Sequence, residues 1–496
     1  MKLSEMADLL MVKETSGDLN VEIHGISMNS KKVAKGDLFV CIPGIPGFQE
    51  DRHAYAQDAA QAGAAALLVE REVDVQVPTI QVPDARYAMA VIAAHLHGYP
   101  SERLKLIGVT GTNGKTTTCH MLESILAEAG FRTGMMGNLG TKIGSVWLES
   151  DINTQEPPSL QANLKRMADA SVDYCVMEAS SQGLAFGRVL GCRFRTAIFT
   201  NLTQDHLDYH QTMERYREAK GLLFARLGNA FSADPAERAY AILNADDPAS
   251  EEFKRITAAQ VVTYGRQKEA DVKARDIQLS SRGTTFAVDS FNGSFAVTLN
   301  QIGAFNVDNA LAAIAAALVN GVPVESIQAG LLKMESVRGR MEVVFEGQPF
   351  LVLVDFAHTP DGLEKALSTI GDLAEGRIIT VFGCGGNRDK TKRPIMGAIA
   401  AERSDLVIAT SDNPRFEDPA LILRDIEEGF LQKGYHSYEL LPDREEAIQR
   451  AIALAQPGDV VIFAGKGHET YQVVGDQTLP FHEVEIVRKA LLAART

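Results

Sequence analysis

Cysteine, tryptophan, basic residues and long apolar runs are all scarce in this sequence, and each scarcity closes off a class of interpretation. The five cysteines (Cys41, Cys119, Cys175, Cys192 and Cys384) are odd in number and form no C-x-x-C pair. A disulfide framework or structural zinc site is not expected, and a reducing cytoplasm fits. Lysine and arginine total 49 against 64 aspartates and glutamates, a formal net charge of −15. Nucleic acid requires a basic face and is not expected as a partner, whereas a small anion needs only a local pocket of cations and helix N-termini. No apolar run approaches the roughly 18 residues that span a bilayer. Glu5 and Asp8 also argue against a signal peptide. No membrane association is expected.

The sequence is rich in the material of an α/β enzyme. Glycine and alanine are plentiful, and 45% of the residues are hydrophobic, enough for sizeable cores. At 496 residues about three domains are expected. The central feature is Lys105-Leu-Ile-Gly-Val-Thr-Gly-Thr-Asn-Gly-Lys-Thr-Thr-Thr118: a short apolar run, a glycine-containing loop, then a helical pattern over Cys119–Gly130. Such a loop lets backbone N–H groups approach phosphates at the positive end of a helix. Lys115 would reach the β/γ-phosphates and the Thr116 hydroxyl would ligate Mg²⁺. The match departs from the general pattern at one place, with Val109 where a glycine is usual. The reading is ATP or GTP binding.

Upstream, residues 1–98 form a first unit. Val21–Ile26, Asp37–Ile42, Ala65–Val69 and Ile80–Val82 read as strands, and Ala54–Gly63 and Ala85–His97 as helices. A second unit, 99–335, repeats strand, polar loop and helix, the signature of a parallel sheet covered by helices. Its strands Val172–Met177, Thr196–Thr200 and Ala241–Leu243 each run into polar residues, where open α/β sheets bind ligands. Asn292-Gly293, between alternating runs, predicts an antiparallel hairpin. The third unit, 336–496, has four parallel-type strands: Phe350–Val354, Arg377–Phe382, Leu406–Ala409 and Val460–Phe463. The expected architecture is a central P-loop parallel-sheet ATPase domain, a C-terminal Rossmann-like doubly wound domain and a smaller N-terminal α/β domain.

Three constellations could carry chemistry. Glu178 and His206, at the ends of two strands in the P-loop sheet, suit either a Mg²⁺ shell with Thr116 or a structural carboxylate and a capping histidine. Lys220, on a predicted helix, reads by itself as a solvated lysine. Asn387-Arg-Asp389 and Asp412-Asn-Pro-Arg415 place two guanidinium groups at adjacent strand ends, with Lys466, His468 and Glu469 beside them. They are either solvated loop charges or a pocket for a zwitterion whose carboxylate arginine reads bidentately. An ATP-dependent ligase and a P-loop switch or kinase both remain open. The third unit with its own anion pocket favours the ligase.

Gly111-Thr-Asn-Gly-Lys-Thr-Thr117, Thr200-Asn-Leu-Thr-Gln-Asp-His-Leu-Asp-Tyr-His210, Asp355-Phe-Ala-His-Thr-Pro360 and Lys466-Gly-His-Glu469 resemble, in order along the chain, motifs of the Mur ligases of peptidoglycan synthesis. Asp412-Asn413-Pro414-Arg415 is similar to the motif of the diaminopimelate-adding branch. The resemblance implies addition of meso-diaminopimelate to UDP-N-acetylmuramoyl-L-alanyl-D-glutamate. ATP would be converted to ADP and phosphate through an acyl phosphate, with Mg²⁺ as cofactor. It implies ATP contacts from Gly111, Thr112, Asn113, Gly114, Lys115, Thr116, Thr117, Asn306, Asn309, Arg340 and Asp355. It assigns the UDP moiety to Ser30 and the muramoyl-dipeptide to Asn153, Thr154, Ser180 and Arg188. The amino acid would be held by Arg388, Asp412, Asn413, Pro414, Arg415, Gly465 and Glu469. Glu178 and His206 would serve the metal together with Thr116 and Lys220, the last matching a carbamylated lysine of the family. A sister enzyme that adds L-lysine or another diamino acid, or acts on a variant precursor, is the alternative, and a monomer is expected.

Departures from the family pattern cluster on the precursor side. Gln155 stands where threonine is usual, Gln182 where histidine is common, and Phe186 where a substrate-contacting glutamine can occur. The loop Gly44–Arg52 also lacks the common uridine-side pattern.

Overall fold

The computed structural model describes the chain except residues 46–48, 151, 233, 235–236, 281–282, 335–336, 372–373 and 495–496. The centre of the Gly44–Arg52 loop lies outside the described residues. The first sheet orders Glu14–Ser16, Thr79–Gln81, Ala66–Val69, Asp37–Val40 and Gly25–Ser27. All its pairings are parallel except that of the first two strands. The strand expected over Val21–Ile26 is cut to Gly25–Ser27. The preceding backbone bonds instead to the chain's first residues, Leu3 N to the Val21 carbonyl and Ile23 N to the Met1 carbonyl.

An eleven-stranded sheet forms the middle of the molecule. Its parallel body runs Gln260–Gly265, Tyr240–Asn244, Phe194–Phe199, Lys105–Thr110, Tyr174–Glu178 and Thr133–Gly137. Strand alternation divides the apolar side chains between two cores. Ile107 and Val109 face the helices Lys115–Glu128 and Ala304–Val319, whereas Leu106 faces Pro157–Asp169. The alanine-rich helix Ala304–Val319 is buried almost all round, as its composition requires. Beyond the parallel body, Gly140–Ile143 and Val146–Leu148 add an antiparallel edge too short to read in sequence.

The expected hairpin is present, but its turn is Phe291-Asn292, with Gly293 paired to Ser290 at a φ of +98°. The buried face sets that register, because Phe286, Val288, Val297 and Leu299 must all point to the core.

The third sheet orders Glu342–Val343, Leu351–Asp355, Val460–Ala464, Ile378–Phe382, Leu406–Ala409 and Tyr438–Leu440. The four expected strands are joined by two short edge strands, and the pairing is parallel except at Glu342–Val343. Apolar clusters cover both faces, making the sheet doubly wound. The strands of this sheet and of the central one turn their carboxyl ends toward a common set of clefts.

Helices Lys392–Arg403 and Pro419–Gln432 cross on glycines. A Cβ on Gly429 would lie 2.1 Å from the Pro394 carbonyl oxygen, and one on Gly397 2.2 Å from that of Ile426. Alanine gains up to about 1 kcal/mol of helix propensity over glycine. The backbone overlap outweighs this gain, so Gly429→Ala is expected to destabilise the protein by about 1–3 kcal/mol net. Thermal unfolding checks this, and an unchanged or higher Tm would refute the packing argument.

Candidate active site

The phosphate loop is shaped by the strand beside it. Thr112 N donates to the Asn201 carbonyl (2.8 Å) and Asn113 N to Asn201 Oδ1 (3.0 Å), while Thr200 Oγ1 donates to the Asn113 carbonyl (2.6 Å). Gly111 and Gly114 take φ values of +149° and +84°. A Cβ on Gly111 would fall 1.8 Å from Thr200 Oγ1, and one on Gly114 2.2 Å from Asn309 Oδ1. Lys115 Nζ folds over the loop onto the carbonyls of Gly111 (2.9 Å) and Thr112 (2.8 Å). Burial pushes its pKa down, opposed by the Glu178 carboxylate.

Glu178, 2% exposed, is the hub beside the loop. Its Oε1 accepts from Thr116 Oγ1 (2.9 Å) and Asn138 N (3.0 Å), and its Oε2 from Asn153 Nδ2 (3.1 Å). Arg340 comes from the third unit to donate to Thr116 Oγ1 (3.4 Å). His206 sits at φ +54°, with Nε2 3.3 Å from Asp205 Oδ2. Burial pushes its pKa down to about 4, against the pull of Asp205, so the ring is neutral at neutral pH.

A cleft of about 340 Å³ is lined by Thr112, Asn113, Gly114, Lys115, Thr116, Glu178 and His206 from the loop side. Asn153, Thr154, Ser180 and Arg188 line the same cleft, joined by Arg340 and Arg388. Lys220 lies outside that lining and is not solvated. It is 1% exposed, its Nζ donates to the Gly111 carbonyl (2.8 Å), and it lies 4.4 Å from the centre of the Tyr216 ring. The helix Met213–Ala225 packs this face under the loop, which the helical period could not reveal. Burial, reinforced by Lys115, drives the Lys220 pKa well below that of an ordinary lysine.

A narrower cavity of about 110 Å³ opens from the loop between the two sheets. Asn113, Gly114, Thr117, Asn306, Asn309, Arg340 and Asp355 all line it, with Phe305 and Tyr264 supplying aromatic walls. Asn309 Nδ2 donates to Asn306 Oδ1 (3.1 Å), and Asn306 Nδ2 to the Ile302 carbonyl (2.8 Å). Asp355 accepts from the backbone N–H groups of Met341 (2.7 Å) and Ala357 (2.8 Å). The Arg340 guanidinium stands 4.6 Å from the centre of the Phe356 ring. Asn113 Nδ2 ties the loop to the third unit through Asp361 Oδ2 (2.7 Å).

A third cavity, about 190 Å³, gathers Arg388, Asp412, Asn413, Arg415, Gly465 and Glu469. Pro414 alone of the expected residues is not in its lining. Lys466, fully buried, donates to Asn413 Oδ1 (2.8 Å) and Glu469 Oε2 (2.9 Å), with Asp412 Oδ1 at 3.7 Å. Burial, then the neighbouring Arg388, lowers the pKa of Arg415. The pocket thus has a cationic side and a carboxylate side. Gln182, Asp205, His206, Phe356, His358 and Arg388 line both this cavity and the 340 Å³ cleft, so the two are continuous.

The precursor-side departures have local explanations. Gln155 is buried and acts within the fold. Its Nε2 donates to Thr141 Oγ1 (2.7 Å) and Ser150 Oγ (3.1 Å), and its Oε1 accepts from Asn163 Nδ2 (2.8 Å). Phe186 lies between the guanidinium groups of Arg86 and Arg188, 4.9 and 5.2 Å from its ring centre. Glu156 accepts from Arg188 Nε (2.7 Å) and lies 3.5 Å from Arg86 Nη1, linking the first unit to the central one. A groove of about 620 Å³ between these units is lined by Ser27, Lys32 and Gln155, while half-buried Ser30 stands next to it.

Sequence reasoning passed over Asn138 and Arg86. Asn138 follows strand Thr133–Gly137, so a polar residue at a strand end was its available signal, and its Nδ2 lies 2.9 Å from His468 Nε2. Arg86 carries no such signal, since its partners come from a distant part of the chain. Among the described residues no helix is long and apolar enough to cross a membrane.

Comparison with known proteins agrees with this geometry. Three family models match in succession: the Mur ligase family catalytic domain over residues 22–102, the Mur ligase middle domain over 109–317 and the Mur ligase glutamate ligase domain over 339–467. The chain is 48% identical to the UDP-N-acetylmuramoyl-L-alanyl-D-glutamate--2,6-diaminopimelate ligase of Bacillus velezensis, covering 99% of each chain. Identity to the Listeria innocua protein of the same name is 44%, over 97% of each chain. A solved structure of a ligase of that name aligns at 32% identity with a TM-score of 0.68, covering 100% of this chain and 99% of the other. The MurF ligase of Thermotoga maritima, solved with ADP, shares the fold at 20% identity and a TM-score of 0.66, over 97% of this chain and 100% of its own. With three Mur ligase models matched in succession and a relative 48% identical over 99% of its length, the chain belongs to the Mur ligase family of ATP-dependent ligases.

Proposed function

We propose that this ligase adds meso-diaminopimelate to UDP-N-acetylmuramoyl-L-alanyl-D-glutamate in peptidoglycan precursor synthesis. The observation that carries the reading is the 190 Å³ pocket, which sets Arg388 and Arg415 against Asp412 and Glu469 and opens into the phosphate-loop cleft. Diaminopimelate has a carboxylate and an amine at each end, whereas lysine has a carboxylate at only one. Two guanidinium groups beside two carboxylates match a terminal amino-acid group, and the arginines reward the carboxylate that lysine lacks. The diaminopimelate-adding relatives at 48% identity point the same way.

In this reading ATP lies between the two sheets. Its adenosine enters the cavity of Asn306, Asn309 and Asp355, and its phosphates lie on Gly111–Thr117 against Lys115 and Arg340. The precursor's dipeptide lies along Asn153, Thr154, Ser180 and Arg188, with Ser30 toward the uridine. A carboxylate is a poor electrophile, so its oxygen first takes the γ-phosphoryl group, giving an acyl phosphate and ADP. Lys115, leaving the carbonyls it now caps, follows the charge on the transferring group. The amine held in the adjoining pocket attacks the acyl carbon, and the tetrahedral intermediate collapses with loss of phosphate and a proton.

Among the described residues no group of three or more His, Cys, Asp or Glu side chains forms a ready-made metal cluster. The Thr116 hydroxyl and the Glu178 carboxylate, 2.9 Å apart on the cleft wall, are nonetheless the hard oxygen donors that Mg²⁺ takes alongside phosphate oxygens. Bound there, Mg²⁺ would neutralise phosphate charge. We assign His206 to the same shell, and Lys220 as a carbamate. Burial lowers the pKa of the Lys220 amine and so favours its neutral form, the form that adds carbon dioxide.

Phosphate release with ATP, Mg²⁺ and the precursor is expected to depend on meso-diaminopimelate, and mass spectrometry should find the tripeptide product. Turnover with lysine alone would favour the lysine-adding alternative, and release without any amino acid would sink the ligase reading. Chelation with EDTA should stop the reaction and added Mg²⁺ should restore it; persistence in EDTA would remove the metal assignment. Lys220→Ala is expected to lower kcat by about 100-fold or more if its carbamate serves the transferring phosphoryl group; a kcat within twofold would refute that role. Arg415→Ala should raise the KM for diaminopimelate by about 10- to 100-fold, the worth of a charged hydrogen bond, and leave that for ATP within about twofold. Equal losses for both would contradict the pocket assignment.

A further inference from the structure

The strands Tyr471–Val474 and Gln477–Pro480 form a two-stranded sheet apart from the three large ones. Its second strand is exposed throughout, and Tyr471, Val474 and Leu479 remain 39%, 41% and 42% exposed. None of its side chains enters the apolar clusters on either face of the third sheet. Burial of apolar surface therefore does not explain why the hairpin is there.

Beside a contact of the Tyr471 ring with Lys466 Nζ at 5.7 Å, its hydrogen bonds are directed at one short segment. Gln472 Nε2 donates to the Asp412 carbonyl (2.7 Å) and Val473 N to Asn413 Oδ1 (2.9 Å). Arg415 N donates to the Val473 carbonyl (3.0 Å), and Gly475 N to the Arg415 carbonyl (2.7 Å). Arg415 sits in the left-handed region at φ +52°, which a residue with a side chain seldom adopts unless its surroundings impose it. Both of its backbone hydrogen-bonding groups are held by the hairpin. In that conformation its Nη1 reaches the Gly386 carbonyl (2.9 Å), so the guanidinium is directed to the pocket wall shared with Arg388.

We propose that the hairpin Tyr471–Pro480 is a specificity bracket: by clamping the backbone of Arg415 it positions the guanidinium that selects an amino acid bearing a second carboxylate. The proposal rests on the reading of this cavity as the diamino-acid pocket. Arg415 would touch the substrate, and the hairpin acts through it. A hairpin that served only to fold the domain would affect all substrates alike. A positioning hairpin acts on one substrate and on one comparison, diaminopimelate against lysine.

The test uses the full-length enzyme with residues 473–478 replaced by Gly-Gly, alongside Gln472→Leu, Arg415→Ala and the combination of shortening with Arg415→Ala. Wild-type turnover with meso-diaminopimelate is measured first; its absence would overturn the pocket reading before any variant is compared. The shortened hairpin is expected to raise the KM for meso-diaminopimelate about tenfold or more and leave that for ATP within about twofold. The ratio of kcat/KM for diaminopimelate to that for L-lysine should fall by about tenfold. In the Arg415→Ala background the same shortening should change that ratio by less than about twofold, because the clamp then has nothing to position. An unchanged ratio in the shortened enzyme, or effects that multiply fully in the combined variant, would overturn the proposal. Should the shortened chain fail to fold, Gln472→Leu decides: a KM for diaminopimelate raised about threefold or more, at an unchanged Tm, supports the bracket, and an unmoved KM removes it.

Discussion

The carboxylate of Glu178 is the fixed point from which the site is built. A carboxylate this deeply buried is costly unless its oxygens are satisfied. Here the donors are the phosphate-loop hydroxyl of Thr116, the backbone of Asn138 and the amide of Asn153. Satisfying one charge therefore ties together the phosphate loop, the turn after strand Thr133–Gly137 and the Asn153–Thr154 segment on the cleft wall. Asn138 carries the connection across the domain boundary to His468, and Arg340 returns it to Thr116 from the third unit. The two sheets consequently meet at a polar seam with matched partners, and the chemistry is placed along that seam.

The same seam concentrates cations in a chain whose overall charge is strongly negative. Lys115, Arg340 and Arg388 line one cleft, and Lys220 lies directly behind it. The two lysines both bond to the Gly111 carbonyl, and burial depresses both pKa values. Lys115 and the arginines on the cleft wall are preorganised for anions: a polyphosphate or carboxylate entering the cleft supplies the charge that the fold withholds. Net charge, which argued against nucleic acid, carries no information about this local reversal of sign.

Much of the architecture was readable because it rests on local pattern. Apolar runs followed by polar residues located the strand ends, and these ends bring together the phosphate loop, Glu178, His206 and the Asp412–Arg415 segment. What escaped depended on packing. Lys220 looks like any surface lysine in its helix, because period 3.6 says which residues share a face but not what covers it. The Asn292-Gly293 signal marked the hairpin but misplaced its turn by one residue, since the buried pairs Phe286–Val297 and Val288–Phe295 decide the register. The short edge strands Glu342–Val343 and Tyr438–Leu440 are too brief to show a period. Arg86 is held by Gln49 in its own unit and meets Glu156 and Phe186 only through the docking of that unit on the central one.

That docking bears on how the departures from the family pattern should be understood. Gln155, Gln182 and Phe186 do not together make a remodelled substrate site, because they do different things. Gln155 has its amide satisfied inside the fold by Thr141, Ser150 and Asn163, so its change is compensated where it occurs. Gln182 lies where the 190 Å³ cavity meets the phosphate-loop cleft, the one position of the three that lines both. Phe186 removes a polar side chain and puts an aromatic face between Arg86 and Arg188, while Glu156 keeps the two guanidinium groups in place. Arg188 remains on the cleft wall with its charge partly engaged, so an incoming carboxylate meets a positioned arginine instead of a mobile one. Of the three changes, one has its amide satisfied within the fold, one faces the junction of two cavities, and one trades a polar side chain for the rigidity of an arginine that is still there.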